Sequence, residues 1–240
     1  MNKLNLMDRA LFALSVPKCT CCKRRLSYGE NALCLDCYAV FEEFKTRNCA
    51  LCGRVLNRCD CSMDFLGKHY IKRVVKCFRY LGYEEAAPGN SLIYSLKRDN
   101  RSDVLAACTK ELKAAIINSV EKPEECIFTN VPRRRAAVIE YGIDHSKLLA
   151  KSLAKEFGAR YVSLLGSRAK TEQKSLDTEE RFKNANFYII KNRKLDGKRV
   201  IIVDDIITSG ASMGMAASLI RSLGCRDIVA ATLAIAYKDK

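Results

Sequence analysis

The chain has 240 residues, 48% of them apolar and 29% charged, with a formal net charge of +15. That balance supplies a sizeable core and excludes disordered and fibrous classes; the longest aliphatic runs, such as Val200 to Val203, fall far short of the roughly 18–20 residues a membrane-spanning helix needs. The excess charge favours a phosphorylated or polyanionic partner and is densest at the N-terminal end, where residues 1–80 carry 15 Lys/Arg against 7 Asp/Glu and residues 81–240 carry 27 against 20.

The opening segment, MNKLNLMDRALFALSVPKC, has a short apolar patch, but Asp8 and Arg9 sit against it and no small-residue cleavage site follows. Val16, Pro17 and Lys18 before Cys19 are not a lipidation setting. The expected location is therefore the reducing cytoplasm, where 13 cysteines read as metal ligands rather than as a disulfide framework. Nine of them fall between Cys19 and Cys61. Cys19, Cys22, Cys34 and Cys37 form one quartet of two-residue spacers, and Cys49, Cys52, Cys59 and Cys61 form a second in which the last spacer is one residue. Each suits a tetrahedral Zn2+ held by four thiolates, a closed and hence structural site, so two Zn2+ ions are expected. Cys21 is a spare that can replace a neighbour, and spacing leaves an interleaved pairing of the half-sites open. Gly53, directly after Cys52, suits a knuckle that needs positive φ. Lys18, Lys23, Arg24, Arg25, Arg47, Arg54 and Arg58 surround the knuckles and are placed to meet phosphates or a protein partner. His69 reads as a packing or surface histidine. Composition changes after residue 62, which predicts a small metal-stabilised module over 1–62 and a second domain over 63–240.

Beyond the boundary the sequence alternates: a strand at CIFTNV, a helix at DHSKLLAKSLAKEFG, strands at RYVSLL, NFYII and KRVIIVDD, a helix at SMGMAASLIRSLG ending at Gly224, and a strand at DIVAATLAIAY. Such alternation predicts an α/β domain with a mostly parallel sheet flanked by helices. The long polar connection GSRAKTEQKSLDTEERFKNA is of a length that is functional or mobile in compact domains.

The segment VIIVDDIITSGAS, residues 200–212, carries the most chemistry. Four consecutive aliphatic residues fit a central parallel strand buried on both faces. Asp204 and Asp205 follow at its carboxyl end, where two adjacent carboxylates need hydroxyl donors or a cation to offset their repulsion and desolvation. Thr208, Ser209, Gly210, Ala211 and Ser212 then form a turn of small residues feeding a helix, whose N–H groups and hydroxyls make an anion nest. Sugar hydroxyls beside a phosphate satisfy both halves, so a ribose 5-phosphate fits the layout.

This segment resembles the phosphoribosyl pyrophosphate (PRPP) motif of the type I phosphoribosyltransferases. With the cysteine pattern, the Lys-containing LIYSLKRDNRSDVLAACTKEL, and the run Arg168, Thr171, Gln173, Leu176, Arg181, Asn184 and Phe187, the chain is similar over almost its whole length to the competence protein F (ComF/GntX) family. The resemblance implies a type I phosphoribosyltransferase-like fold behind a double zinc ribbon. It implies that Asp204 and Asp205 contact the ribose hydroxyls with Mg2+, that Thr208 to Ser212 hold the 5-phosphate, and that residues 166–184, with Arg168, Thr171, Gln173, Arg181 and Asn184, form a flap over the site. Pro132 and Gly142 are retained where the family has its pyrophosphate loop, but Tyr141 replaces an arginine and Ile143, Asp144 and His145 replace Phe-Asn-Gln. Arg133, Arg134 and Arg135 remain to clamp pyrophosphate, with Lys97 and Arg98 as further cations. Two activities follow: phosphoribosyl transfer with pyrophosphate release, or a non-catalytic PRPP-binding accessory role in DNA uptake, with single-stranded DNA or an uptake helicase as partner.

Overall fold

The computed structural model describes residues 17–49, 51–80, 87–134, 138–139, 142–168 and 186–236. Its frame is a five-stranded sheet, in which β1 (Arg73–Arg79), β2 (Ile127–Asn130), β3 (Arg160–Tyr161), β6 (Arg199–Ile207) and β7 (Asp227–Ile235) lie in the order β1-β7-β6-β2-β3. Every neighbouring pair is parallel. A separate antiparallel hairpin joins β4 (Leu165–Ser167) to β5 (Phe187–Ile189). The strand expected over RYVSLL is thus split: only Arg160 and Tyr161 join the sheet, while Leu165 turns into the hairpin.

The buried run of β6 explains how the layers form. Ile201 and Val203 point into one core with Val229, Ala231 and Phe128; Val200 and Ile202 point into the other with Ile228 and Ala230. A strand that feeds two cores has no polar face, which is why it reads as an unbroken aliphatic run. The first core is covered by α3 (Pro88–Arg98), α4 (Ser102–Ile117) and α5 (His145–Phe157), the second by α6 (Ala211–Ser222) and by Leu66 of the short α2 (Asp64–Lys68). Helix α5 buries Leu149, Ala150, Leu153 and Ala154 on one stripe; Asp144 caps its start by accepting the Lys147 amide, and Gly158 ends it at φ 64°. Each fully buried leucine of that stripe contributes about 1.5–3 kcal/mol.

The cysteine-rich segment is not a free-standing bead. Cys19, Leu26, Leu33, Cys34 and Phe41, the last on α1 (Leu35–Lys45), belong to the same core as Phe78, Leu92 and Leu96. Cys49, Leu56 and Cys59 form a small cluster of their own.

The connections of the sheet run outward in opposite directions on either side of the β2–β6 boundary, from β2 to β3 on one side and from β6 to β7 on the other. Open α/β sheets leave a crevice at such a reversal, outside the carboxyl ends of the strands. The residues that follow β2 and end β6 border that crevice.

Candidate functional site

Asp204 and Asp205 are the sixth and seventh of the nine residues of β6, which continues to Ile207 rather than stopping before them. Asp205 is buried and its Oδ2 lies 3.3 Å from Lys97 Nζ. Asp204 Oδ1 accepts from Ser146 Oγ at 2.7 Å and from the Asp205 amide at 3.0 Å. Burial and then the neighbouring Asp205 charge push Asp204 up to about 7, against those two donors. Hydroxyl donors or a cation from outside would relieve the repulsion that raises Asp204.

The turn after β6 enters α6 through Gly210, which stands at φ 82° as the helix N-cap. A side chain is barred there twice over, since a Cβ would also lie 2.9 Å from Leu66 Cδ2. Gly214, one turn into the helix, is packed under Phe65 and His69, where a Cβ would meet their atoms at 3.2 and 3.3 Å. Thr208 is exposed, Ser209 is half-buried with its Oγ 3.4 Å from the Ala211 amide, and Ser212 is exposed on the first turn. The exposed hydroxyls of Thr208 and Ser212, with the first-turn amides of the helix, form a donor set suited to a phosphate.

Across the crevice, the Val131 amide donates to Val203 O at 3.1 Å, which holds the segment after β2 beside β6. Arg133 Nη1 lies 2.6 Å from His145 Nδ1, and His145 Nε2 lies 3.3 Å from Asn100 Oδ1. A guanidinium only donates, so Nδ1 is the acceptor and Nε2–H donates to Asn100, which fixes a neutral tautomer. Burial and then the Arg133 charge lower His145 to about 4, and the fields of Asp205 and Lys97 also reach it. His145 is thus a fully buried brace for Arg133, and not an exposed base. Asp144, an acid where the resemblance leads one to expect an amide, acts as the helix cap; burial raises its carboxyl.

Both cysteine quartets come together as the spacing predicts. In each, the four Sγ atoms lie within 4.8 Å of one another, and Cys21 belongs to neither. Cys22 and Cys34 sulfurs are 3.6 Å apart, Cys52 and Cys59 sulfurs 3.4 Å. Zinc–sulfur bonds of about 2.3 Å in a tetrahedron set the sulfurs ~3.8 Å apart, so the residues present fit zinc. Burial resists ionisation of Cys34, but the Cys37 amide and the Arg24 guanidinium outweigh it and bring the thiol down to about 6. In the second quartet burial pushes Cys59 up to about 12. There the compensating charge is Lys76 of β1, fully buried, whose Nζ donates to Cys59 O, Cys59 Sγ, Cys61 O and Val74 O at 3.1 to 3.4 Å. No carboxylate among the described residues pairs with it. The sequence reading missed both β1 and this lysine.

Arg134 is half-buried beside Arg133, and Arg98 stacks on Tyr94 with its guanidinium carbon 5.7 Å from the ring centroid. Arg168 directly follows β4, its amide donating to Asn186 O at 2.8 Å and its guanidinium stacked on Tyr188 at 4.7 Å. Thr171, Gln173, Arg181 and Asn184, like Arg135, lie outside the described residues.

Residues 144–240 match the family model described as the phosphoribosyl transferase domain. The DNA utilization protein YhgH of Escherichia coli O6:H1 is 24% identical over 225 residues, covering 90% of this chain and 96% of the relative. Competence protein ComFC of Streptococcus pneumoniae is 22% identical over 85% of this chain and 87% of its own. Competence protein F of Haemophilus influenzae is 23% identical over 88% and 93%. Among solved structures, adenine phosphoribosyltransferase of Thermoanaerobacter pseudethanolicus aligns at a TM-score of 0.40 and 16% identity, covering 65% of this chain and 89% of that one.

Proposed function

Because this chain belongs to the competence protein F family, we propose that the crevice between β2 and β6 binds PRPP with Mg2+ and transfers its phosphoribosyl group to an acceptor. One observation carries the reading: within nine residues, an adjacent carboxylate pair runs into a helix start capped by glycine, at the strand-order reversal of a parallel sheet.

Asp204 and Asp205 would accept from the ribose hydroxyls and hold Mg2+, while Thr208 to Ser212 take the 5-phosphate. When bound, the metal supplies positive charge against the pyrophosphate oxygens. Arg133, held by His145, and Arg134 would bind the pyrophosphate with planar donors. Transfer breaks the C1–O bond, the pyrophosphate leaves with the electron pair, and an acceptor lone pair forms the new bond at C1. No protein nucleophile is needed; the chain's work is to position the groups and stabilise charge. The division into residues 1–62 and 63–240 belongs to the same proposal. So does a cytoplasmic setting, which is supported by 13 cysteines that are all free of disulfides.

Calorimetry with Mg-PRPP, and pyrophosphate release with a panel of nucleobases and amines, test the reading. Asp204→Asn with Asp205→Asn should abolish both signals; a double variant that still binds PRPP like the wild type refutes it. A second reading, a non-catalytic accessory factor in DNA handling, is favoured by the names of the relatives, and it predicts PRPP binding with no turnover together with salt-dependent nucleic-acid binding.

A further inference from the structure

The carboxylate doublet of β6 already has a cation of the protein's own beside it. Lys97 Nζ lies 3.3 Å from Asp205 Oδ2, and the two side chains are 27% and 7% exposed. Among the described residues no other lysine, arginine or histidine is in ion-pair contact with Asp204 or Asp205. Asp204 is met instead by uncharged donors, the Ser146 hydroxyl and the Asp205 amide. One positive charge therefore stands against two carboxyl groups.

The backbone under Lys97 is fixed from both sides. It occupies the last turn of α3, whose Leu92, Ile93 and Leu96 are buried in the first core. The Asp99 amide closes the helix on Ser95 O at 2.9 Å, and the next residue, Asn100 at φ 49°, accepts from His145 Nε2. The end of α3 is thus fastened to α5 through Asn100 and to β6 through Lys97. A helix C-terminus attracts cations of itself. Arg98 shows what that attraction alone produces, since it is exposed and stacks on Tyr94 of its own helix. Lys97, one position earlier, turns instead to a buried carboxyl group on another element. An ammonium is a compact charge on a flexible stem, with three donors and no acceptor, so it holds one carboxylate and can also let go of it. A free divalent ion would have to evict this tethered charge. An ion that arrives on pyrophosphate oxygens brings anions able to receive the evicted ammonium.

We propose that Lys97 is the resident counter-ion of Asp205, which keeps free divalent metal off the carboxylate doublet and yields only to metal accompanied by PRPP. The proposal rests on the PRPP reading of the crevice and adds an order to it: metal and sugar phosphate enter together. Lys97 is a positioning residue in this scheme, because it acts by deciding when Asp205 is free to take a metal.

The probe is Mn2+ alone, titrated into the full zinc-loaded chain without PRPP and followed by loss of the free ion's electron paramagnetic resonance signal. A positive charge within about 4–6 Å of a carboxylate opposes a second cation there by about ten- to a thousandfold, so Lys97→Met should bind Mn2+ at least about tenfold more tightly than the wild type. Lys97→Gln should show the same gain, and Lys97→Arg, which restores the charge, should keep the wild-type affinity. The gain should vanish in Lys97→Met with Asp205→Asn. A merely structural lysine would lower the melting temperature on removal without creating a metal site. Equal Mn2+ affinity in the wild type, Lys97→Met and Lys97→Gln would overturn the proposal, as would a gain shared by Lys97→Arg or one that survives Asp205→Asn. Calorimetry of the same proteins with Mg-PRPP separates the two claims. If the wild type binds Mg-PRPP while the neutral variants gain no Mn2+ affinity, the counter-ion role falls and the PRPP reading stands; if the wild type does not bind Mg-PRPP, both fall.

Discussion

Replacing Lys76 by methionine should strip the second cysteine quartet of its zinc while sparing the first. The ammonium is completely buried, and its four acceptors are three main-chain carbonyls and Cys59 Sγ, at 3.4 Å. A unit charge pair at that distance is worth about 5 kcal/mol at an effective dielectric constant of ~20. A zinc ion held by four thiolates carries two net negative charges, so removing the buried cation that donates to Cys59 Sγ leaves that charge less compensated. Breaking a buried pair by deleting one partner costs about 3–5 kcal/mol, which at about 1.4 kcal/mol per tenfold corresponds to a loss of roughly 100- to 1,000-fold or more in affinity. Competition with a chromophoric chelator reads this directly: the wild type should yield two tightly held ions, the variant one tight and one weakened by that factor. The Cys19, Cys22, Cys34, Cys37 site is the internal control. If the variant keeps both ions at wild-type affinity while its melting temperature falls, Lys76 acts through packing alone and the electrostatic account is wrong.

Gly210→Ala should destabilise the chain by about 1–3 kcal/mol through its φ of 82° alone, with the 2.9 Å approach to Leu66 adding to it. In the Leu66→Ala background only the contact part should disappear, so a glycine-to-alanine cost of zero there would refute the backbone argument. For His145 the folded value of about 4 lies below the ordinary 6.5, so its contribution to stability is complete above pH 6.5 and drains as pH falls toward 4. At 1.36 kcal/mol per unit the loss approaches about 3 kcal/mol. Asp204, raised to about 7 from 3.8, has the opposite sign and loses its contribution as pH rises through that window. Subtracting the denaturation curve of His145→Gln cancels Asp204, and the remaining difference should shrink between pH 7 and pH 4.5; a flat difference would sink the neutral-brace assignment. Chelation of zinc in the wild type should lower the melting temperature and expose reactive thiols from both quartets, and thiols that stay protected after complete metal removal would contradict a metal-held module.

What could be read in advance was what lies close in sequence. The quartets were legible because a Cys-x-x-Cys turn brings two sulfurs to one ion locally, and β6 because four aliphatic residues ahead of two acids need no distant partner to be recognised. Strand β1 was not: Lys76 falls in the middle of Val74, Val75, Cys77 and Phe78, and a lysine in a buried strand makes sense only once Cys59 and Cys61 are seen beneath it. Lys97 read as an ordinary cation at a helix end, yet it faces Asp205, more than a hundred residues away. The roles of Asp144 and His145 were hidden for the same reason. The sequence shows an acid and a histidine where an amide pair is expected, while the structure shows a helix cap and a buried link from Arg133 to Asn100.

Long-range contacts also tie the cysteine-rich segment to the sheet that carries the candidate site. Between Cys61 and β1 the chain is pinned at both ends: the Val74 amide donates to Asp60 O at 2.9 Å, and Ser62 Oγ donates to Ile71 O at 2.7 Å. The piece between holds α2, whose five residues are too few to persist as an isolated helix. Its stability comes from Leu66 and Phe65 pressed on Gly210 and Gly214, and from its anchorage to the second quartet. The same contact surface that keeps α2 folded fixes the start of α6, where the proposal places the 5-phosphate. Lys76 closes the loop from the other side, because it lies on the sheet's edge strand and donates to the carbonyls of two ligand residues. The second quartet is thus built into the wall of the candidate site, and a metal held there would act on the start of α6 through packing rather than through chemistry.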